Sequence, residues 1–271
     1  QARKSPLENG GCVVTLTDIS EHREAEDVLR NARDQAQALA EAKTQFVAVV
    51  SHEVRTPMNG VLGMARLLMD SNLASDHEES VRVIIAASES LVRILDDLLD
   101  LSKLEADKIE YDASPFLPTD VAEHAVALMT GMTRDKGLIL QDRTDENVPP
   151  VLIGDAHRIR QVLVNLISNA VKFTPNDGQV TASVRVGDDN SLIFSIADTG
   201  IGIAEEDIPK VLMPFGQVED PLLRNTEGTG LGLPLAKRLT ELHDGELTIT
   251  STPDKGTTVL VTMPPERTLD L

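Results

Sequence analysis

With 271 residues the chain is long enough for about two domains, and its 41% apolar share supports a packed core although aromatics make up only 2% and tryptophan is absent. Leu, Val, Ile, Met and Ala must therefore fill the interior, which suits helix packing. A formal charge of −19 argues against an extended nucleic-acid interface, because neutralising phosphates needs clustered Lys and Arg. The single Cys12 rules out a disulfide framework or a Cys-rich zinc site, as expected in a reducing compartment. No apolar run approaches the roughly 20 residues of a membrane helix, and no signal peptide is expected. The expectation is a soluble, cytoplasmic piece that does not itself contact a membrane, with any anchor carried by a longer parent chain.

Residues 10–20, GGCVVTLTDIS, read as a strand with a polar exit and no obvious partner strand nearby, as in a segment cut from a larger protein. The period then changes. Ala25, Val28, Ala32, Leu39, Ala42, Phe46 and Val49 follow alternating three- and four-residue steps, interrupted by Gln35. That is a heptad seam. Continued, it reaches Glu53 and Thr56, so the seam turns polar beside His52. Beyond Pro57 the apolar positions Val61, Met64 and Leu68 run one residue out of register, which a bend at a helix-interior proline would explain.

After turn and capping residues in DSNLASDHEE (70–79), a second helix carries Val81, Ile84, Ser88, Leu91, Leu95 and Leu98 in one row, widened by Ile85, Val92 and Leu99. Two long helices with such broad apolar stripes cannot bury themselves as one hairpin. A dimeric four-helix bundle is the economical solution. Beyond SPFLP (114–118), helices are predicted at 119–136, 157–173 and 233–243. Strands are predicted at 179–186, 191–197, 245–251 and 256–263, around a Gly-rich stretch at 198–232. The predicted fold is α+β: a long helical hairpin, then an α/β sandwich with helices on one face of a mainly antiparallel sheet.

Three segments of the second domain carry chemistry. NLISNAVKFT (165–174) puts Asn165, Asn169 and Lys172 on one helix face. Carboxamide oxygens suit Mg²⁺ and an ammonium suits phosphate, although alone this is an ordinary amphipathic helix. DTGIGI (198–203) sets an acid at a strand end, where it can accept from an amine such as adenine's. Its glycines let backbone approach a ligand. GTGLGL (228–233) opens onto a helix whose N-terminus suits an anion. A P-loop is absent, and the two Gly motifs lack the setting of a dinucleotide fingerprint.

The ordered set, over roughly residues 115–265, resembles the ATP-binding fold of histidine kinases, Hsp90-type chaperones, type II topoisomerases and mismatch-repair ATPases. In the hydrolysing members a glutamate that activates water stands four residues before the metal-binding Asn; here that position is Asn165. Losing a general base removes a contribution of about 10²–10⁴-fold. The site therefore reads as one that holds ATP for another acceptor.

SHEVRTP (51–57) supplies the acceptor, and with the other three boxes it resembles the sensor histidine kinases over nearly the whole chain. A lone histidine between Ser51 and Glu53 is otherwise better read as a helix-surface residue. A neutral imidazole is nucleophilic near pH 7, and a neighbouring carboxylate can hold one ring proton while the other lone pair attacks. The resemblance implies attack by Nε2 of His52 on ATP, with Glu53 orienting Nδ1. Thr56 then positions water for dephosphorylating a response-regulator aspartate, unless it is only the helix residue before Pro57.

For the nucleotide, the resemblance implies Asn169 as the Mg²⁺ ligand, Asn165 as a nearby polar contact, Lys172 at the phosphates and Phe173 beside it. Asp198 contacts the adenine amine in a pocket shaped by Gly200 and Gly202. Gly228, Thr229, Gly230, Leu231 and Gly232 end a lid (203–228, least ordered near 218–227) and face the phosphates. MPFGQ (213–217) keeps the family's Phe215, which equally fits plain packing, but has Met213 where the family has Glu. TLTDIS (15–20) resembles, more briefly, the end of a PAS-type sensor domain.

The implied organisation is the end of a sensor domain at 1–20 and a signalling coiled coil at 21–50. A dimerisation and phosphotransfer domain follows at 51–111, a hinge at 112–118 and an ATP-binding domain at 119–271. Implied cofactors are ATP and Mg²⁺. Implied partners are a second copy, a receiver domain and an upstream sensor domain. A scaffold without chemistry is disfavoured by the presence of His52, Glu53 and Asn169; a free-standing ATPase is disfavoured by Asn165 and the hairpin.

Overall fold

A computed structural model of the chain describes residues 2–6, 12–16, 20–71, 75–106, 108–145, 148, 151–218 and 229–269. The first two elements are strands β1 (Ala2–Pro6) and β2 (Cys12–Leu16), antiparallel in a register from Ala2↔Leu16 to Pro6↔Cys12. The strand read in 10–20 thus has a partner. ARKSP gave no signal for it, since it has no β-branched or aromatic residue and ends in proline.

Helix α1 (Ser20–Met69) is continuous through Pro57, and α2 (Ser75–Glu105) returns antiparallel to it. Pro57 has no amide to give the carbonyl of Glu53, yet it does not end the helix, because packing against α2 continues on both sides of it. The pairing register is marked by Lys43 Nζ to Glu105 Oε2 at 2.7 Å, Arg55 to Asp96, and Arg66 Nη2 to Glu89 Oε1 at 2.9 Å. Val47, Ser51, Ala65, Val81, Ser88 and Leu95 are buried in the hairpin. The seam residues Phe46 and Val49 are not, and Phe46 remains 68% exposed. With Val61, Met64, Leu68 and Ile84 they leave an apolar stripe on the outer face of the hairpin.

The α/β domain is built on a five-stranded sheet of order β4 (Ile139–Asp142), β6 (Gln179–Val186), β7 (Leu192–Asp198), β9 (Gly256–Met263), β8 (Glu246–Thr252). Only the β4–β6 pairing is parallel. Helices α3 (Pro118–Asp135), α4 (Ala156–Phe173) and α6 (Gly232–Leu242) cover it, and a short α5 (Ile208–Val211) lies beyond β7. In β6, Val180, Ala182 and Val184 point inward at the strand period of two and meet Ile159, Leu163, Leu166 and Ile167 of α4. Asp155 caps α4 by accepting from the amides of His157 and Arg158 at 3.0 and 3.1 Å. At the other end Lys136 Nζ donates to the carbonyls of Val171 and Lys172, both at 2.9 Å.

A second sheet joins β5 (Val151–Gly154) to β3 (Ser114–Phe116) and β10 (Thr268–Leu269). The stretch 112–118, read as a hinge, therefore contains a paired strand. Pro115 sits in the edge strand and Pro118 in the first turn of α3, two places that need no proline amide. Residues just before it are also tied down. The ring of Tyr111 meets His243 edge-on at 5.0 Å, and its hydroxyl accepts from Arg267. His243 is fully buried; its Nδ1 donates to the Leu239 carbonyl at 2.7 Å and its Nε2 accepts from the Asp155 amide at 3.1 Å. Burial also pushes its pKa down, so the ring is neutral in a single tautomer. Leu104, in the last turn of α2, belongs to the core of the α/β domain. The hairpin thus runs directly into the second domain.

Asp97 on α2 is half-buried, and burial, with Asp100 and then Asp96 beside it, pushes its pKa from 3.8 up to about 6 against the opposing pull of Arg93. The folded chain therefore binds the proton more tightly than the unfolded chain, so this group's contribution to stability falls as pH rises from about 4 to about 6. Asp97→Asn removes that penalty. Thermal melts should show the variant more stable than the parent near pH 7.5, with the difference fading towards pH 4; an equal or lower melting temperature near pH 7.5 counts against the buried charge.

Candidate phosphoacceptor and nucleotide sites

His52 lies in the middle of α1 with its side chain 76% exposed. Its Nδ1 is 3.4 Å from Glu53 Oε1, the only hydrogen-bond partner of the ring among the described residues, and Nε2 is open. Thr56 donates its Oγ1 hydroxyl back to the His52 carbonyl at 3.1 Å, as hydroxyl side chains one turn on in a helix commonly do. Arg55, on the opposite side of Thr56 from Pro57, turns to Asp96 of α2. The described residues place no group of the α/β domain in hydrogen-bond contact with the imidazole.

The second site forms where the C-terminal end of β7, the polar face of α4 and the N-terminus of α6 meet. Asp198 ends β7 with its Oδ1 accepting from the amides of Gly200 at 2.8 Å and Thr257 at 3.2 Å. Its Oδ2 accepts nothing among the described residues. Burial raises the pKa of this carboxyl, and the two amide hydrogen bonds pull it back down. The result is an oriented acceptor in a partly dry site. Gly256 makes the arrangement possible: its φ is +101°, and a Cβ there would lie 1.9 Å from the Asp198 carbonyl oxygen. Sequence reading missed Gly256 and Thr257, because they reach Asp198 only through the β7–β9 pairing; the turn residues of PDKG (253–256) were the available signal.

The DTGIGI loop is held on both sides. Ile201 donates its amide to the Phe173 carbonyl at 3.3 Å, and Ile203 donates to Ser251 Oγ at 2.8 Å. At Gly200 a Cβ would stand 2.6 Å from the Phe173 carbonyl oxygen. Gly202 has φ +70° and backs onto the Thr252 carbonyl. Phe173 thus supports the loop through its backbone, while its ring lies under the Lys172 ammonium, 4.7 Å from the centroid.

Asn165 and Asn169 face the start of α6. A Cβ added to Gly232 would lie 3.8 Å from Asn165 Cγ and 3.9 Å from Asn169 Nδ2, filling the gap between the two helices. Asn165 Nδ2 is buried without a hydrogen-bond partner among the described residues. An orphaned donor of this kind costs about 1–3 kcal/mol unless something accepts from it. Helix α6 has no side-chain cap, so the amides of Gly232 and Leu233, ahead of Pro234, are available to an anion. Thr229 Oγ1 instead accepts from the Leu231 amide at 3.2 Å, and the Leu231 side chain is fully buried.

Phe215 is 62% exposed with a left-handed φ of +62°, and its amide donates to the Gly230 carbonyl at 3.0 Å. The two ends of the 216–229 segment are thereby brought together. Gly228, and residues 219–227 expected to be the least ordered part of a lid, lie outside the described residues. Met213 is 63% exposed.

The donors match a nucleoside triphosphate. An oriented carboxylate oxygen suits an exocyclic amine, two carboxamides and an ammonium suit a metal–phosphate unit, and an uncapped helix N-terminus suits the phosphates themselves. Asp198→Asn is a clean probe, because the amide oxygen keeps both backbone hydrogen bonds while Oδ2 becomes a donor. Calorimetry with an ATP analogue and Mg²⁺ should show affinity falling roughly tenfold to a hundredfold, the equivalent of about 1.5–3 kcal/mol for a hydrogen bond to a charged group. The fold should stay intact; unchanged affinity removes Asp198 from the site.

The model of the His Kinase A (phospho-acceptor) domain matches residues 42–107. The model of the histidine kinase-, DNA gyrase B- and HSP90-like ATPase matches residues 154–267. Among curated proteins, the cell-division control histidine kinase PdhS of Brucella anthropi is 34% identical over 98% of this chain and 26% of its own length. PdhS of Brucella abortus is also 34% identical, over 98% of this chain and 27% of its own length. The chain thus spans about a quarter of the length of these relatives. Among solved structures, full-length ShkA in complex with AMPPNP is 30% identical with a TM-score of 0.70, covering 84% of this chain and 47% of that one. Acinetobacter baumannii AdeS, 22% identical with a TM-score of 0.53 over 79% of this chain and 97% of its own, shares the fold. An exposed histidine on a helical hairpin, followed by a glycine-built nucleotide cleft on a mixed sheet, thus belongs with these matches: the chain carries the phosphoacceptor and ATPase domains of a sensor histidine kinase.

Proposed function

We propose that the chain is the catalytic core of an ATP-dependent protein-histidine kinase that phosphorylates His52 and passes the group to an aspartate of a response-regulator receiver domain. The observation that carries this is the division of labour between the two sites. The nucleophile stands exposed on the hairpin with Nε2 open. The nucleotide cleft has a carboxamide, Asn165, where a hydrolase of this fold keeps its water-activating acid.

In the transfer step the Nε2 lone pair attacks the γ-phosphorus as the bond to the β,γ-bridging oxygen breaks, and ADP leaves. The Nδ1 proton stays shared with Glu53, whose charge stabilises the positive ring that forms. Asp198 holds the adenine amine, Gly200 and Gly202 admit the base, and the amides at Gly230 and Gly232 receive the phosphates, with the Leu231 amide between them held by Thr229. Lys172 and Asn165 complete that contact, with Phe173 and Thr229 supporting the cleft walls. Asn169 would hold Mg²⁺, which when bound neutralises charge on the phosphates. Little covalent chemistry is asked of the protein beyond positioning and charge. In the second step a receiver carboxylate attacks the phosphoryl group and His52 leaves as neutral imidazole.

Thr56 holds a hydroxyl one turn from His52, which supports a phosphatase role in orienting water on the receiver's phosphoaspartate. The outer apolar stripe of the hairpin supports a homodimer in which a second copy completes a four-helix bundle. We assign 21–50 to a signalling coiled coil driven by an upstream PAS-like sensor. The core works in the cytoplasm; no described helix is long and apolar enough to cross a membrane.

His52→Ala should abolish acid-labile, base-stable labelling from γ-labelled ATP while leaving calorimetric ATP binding nearly unchanged. Labelling at histidine that persists in the variant would sink the assignment.

A further inference from the structure

The polar face of α4 does two things along its length. Arg158, Gln161, Asn165 and Asn169 follow steps of three and four residues and share one side of the helix. The last two face Gly232 in the nucleotide cleft. The first two reach across to α2 of the hairpin. Asp100 Oδ2 accepts from Arg158 Nη1 at 2.8 Å and from Gln161 Nε2 at 2.9 Å. Arg158 Nη1 also donates to Gln161 Oε1 at 3.0 Å, which closes a triangle. The Arg158 and Asp100 side chains are only 17% and 18% exposed, so salt screens this pair little. One turn away on α2, Asp96 pairs with Arg55, three residues beyond His52.

The same α2 face thus grips the histidine's own turn and, next to it, the nucleotide helix. In this arrangement His52 Nε2 is open and no described residue of the α/β domain hydrogen-bonds the ring. We propose that Asp100, Arg158 and Gln161 form a docking clamp that holds the nucleotide domain in a resting position on the hairpin, and that the clamp opens before phosphoryl transfer. These three are positioning residues: none lies among the groups assigned to the nucleotide, and α4 carries them and the asparagines as one rigid element. Opening requires water to reach a nearly buried charge pair, which gives the two positions discrete energies. The role in transfer rests on the kinase reading above; the clamp itself is a statement about domain position.

The test uses the full chain with Asp100→Asn, Arg158→Gln and the double variant. Spin labels at exposed positions 86 on α2 and 123 on α3, in a Cys12→Ser background diluted with unlabelled chain, report the distance between the domains by pulsed electron paramagnetic resonance. Each variant should broaden that distribution, leave ATP affinity unchanged and raise the rate of His52 labelling roughly tenfold, equivalent to about 1.4 kcal/mol. The double variant should match the singles, because all remove one contact. An unchanged distance distribution overturns the clamp, and so does a broadened one with unaltered or slower labelling. If the parent chain is not labelled at all, the kinase reading fails alone, and the distance measurement still decides whether the clamp exists.

Discussion

The second domain depends on the burial of one face of α4. Ile159, Val162, Leu163, Leu166, Ile167, Ala170 and Val171 are all buried. Each large side chain among them contributes about 1.5–3 kcal/mol. Turning the helix to expose any of them would cost more than its polar contacts return. The opposite stripe has no freedom left: Asn165 and Asn169 must face α6, and Arg158 and Gln161 must face α2. The candidate site residues thereby sit on a helix whose rotation is set by the core.

The cleft is otherwise built from backbone. Gly200, Gly202, Gly230 and Gly256 each bring the chain so close to a neighbouring main-chain group that a Cβ would collide. Such close approach leaves amides and carbonyls at the walls, where they orient Asp198 and form the rim of the site. A site of this kind reorganises little when a nucleotide enters, and preorganised dipoles are what a phosphoryl transfer needs. The orphaned Nδ2 of Asn165 leaves one donor there without a partner among the described residues.

The acceptor obeys the opposite logic. His52 sits on a solvent-exposed turn of a fifty-residue helix, its side chain open to an approaching group. Exposure leaves the imidazole uncommitted, with Glu53 to hold one ring nitrogen. Yet the hairpin and the nucleotide domain are not loosely strung. Leu104 is in the second domain's core, and Tyr111 is fastened by Arg267 and His243. Any motion between the sites would therefore work against packed surfaces.

Sequence alone determined the long elements and singled out the boxes as candidates for chemistry. Heptad spacing in α1, the apolar row in α2 and the face of α4 are local periodicities, each written into consecutive residues and strong enough to read without a partner. The same holds for the choice of His52, Asn169, Asp198 and the glycine pairs as candidates, since their spacing along one segment already groups them. The tertiary structure alone decided what distant segments do to each other. Strands β1, β3, β4 and β5 span only three to five residues each, too few for a period to emerge, and exist because another strand lies alongside. Gly256 and Thr257 reach Asp198, and Asp100 reaches Arg158, across 58 or 59 positions of chain. Residues 112–118 carry two prolines that read locally as a break, but Pro115 lies in a strand paired with β5 and Pro118 opens α3. Periodicity records what a residue's neighbours in sequence require of it; contacts closed by folding leave no such record.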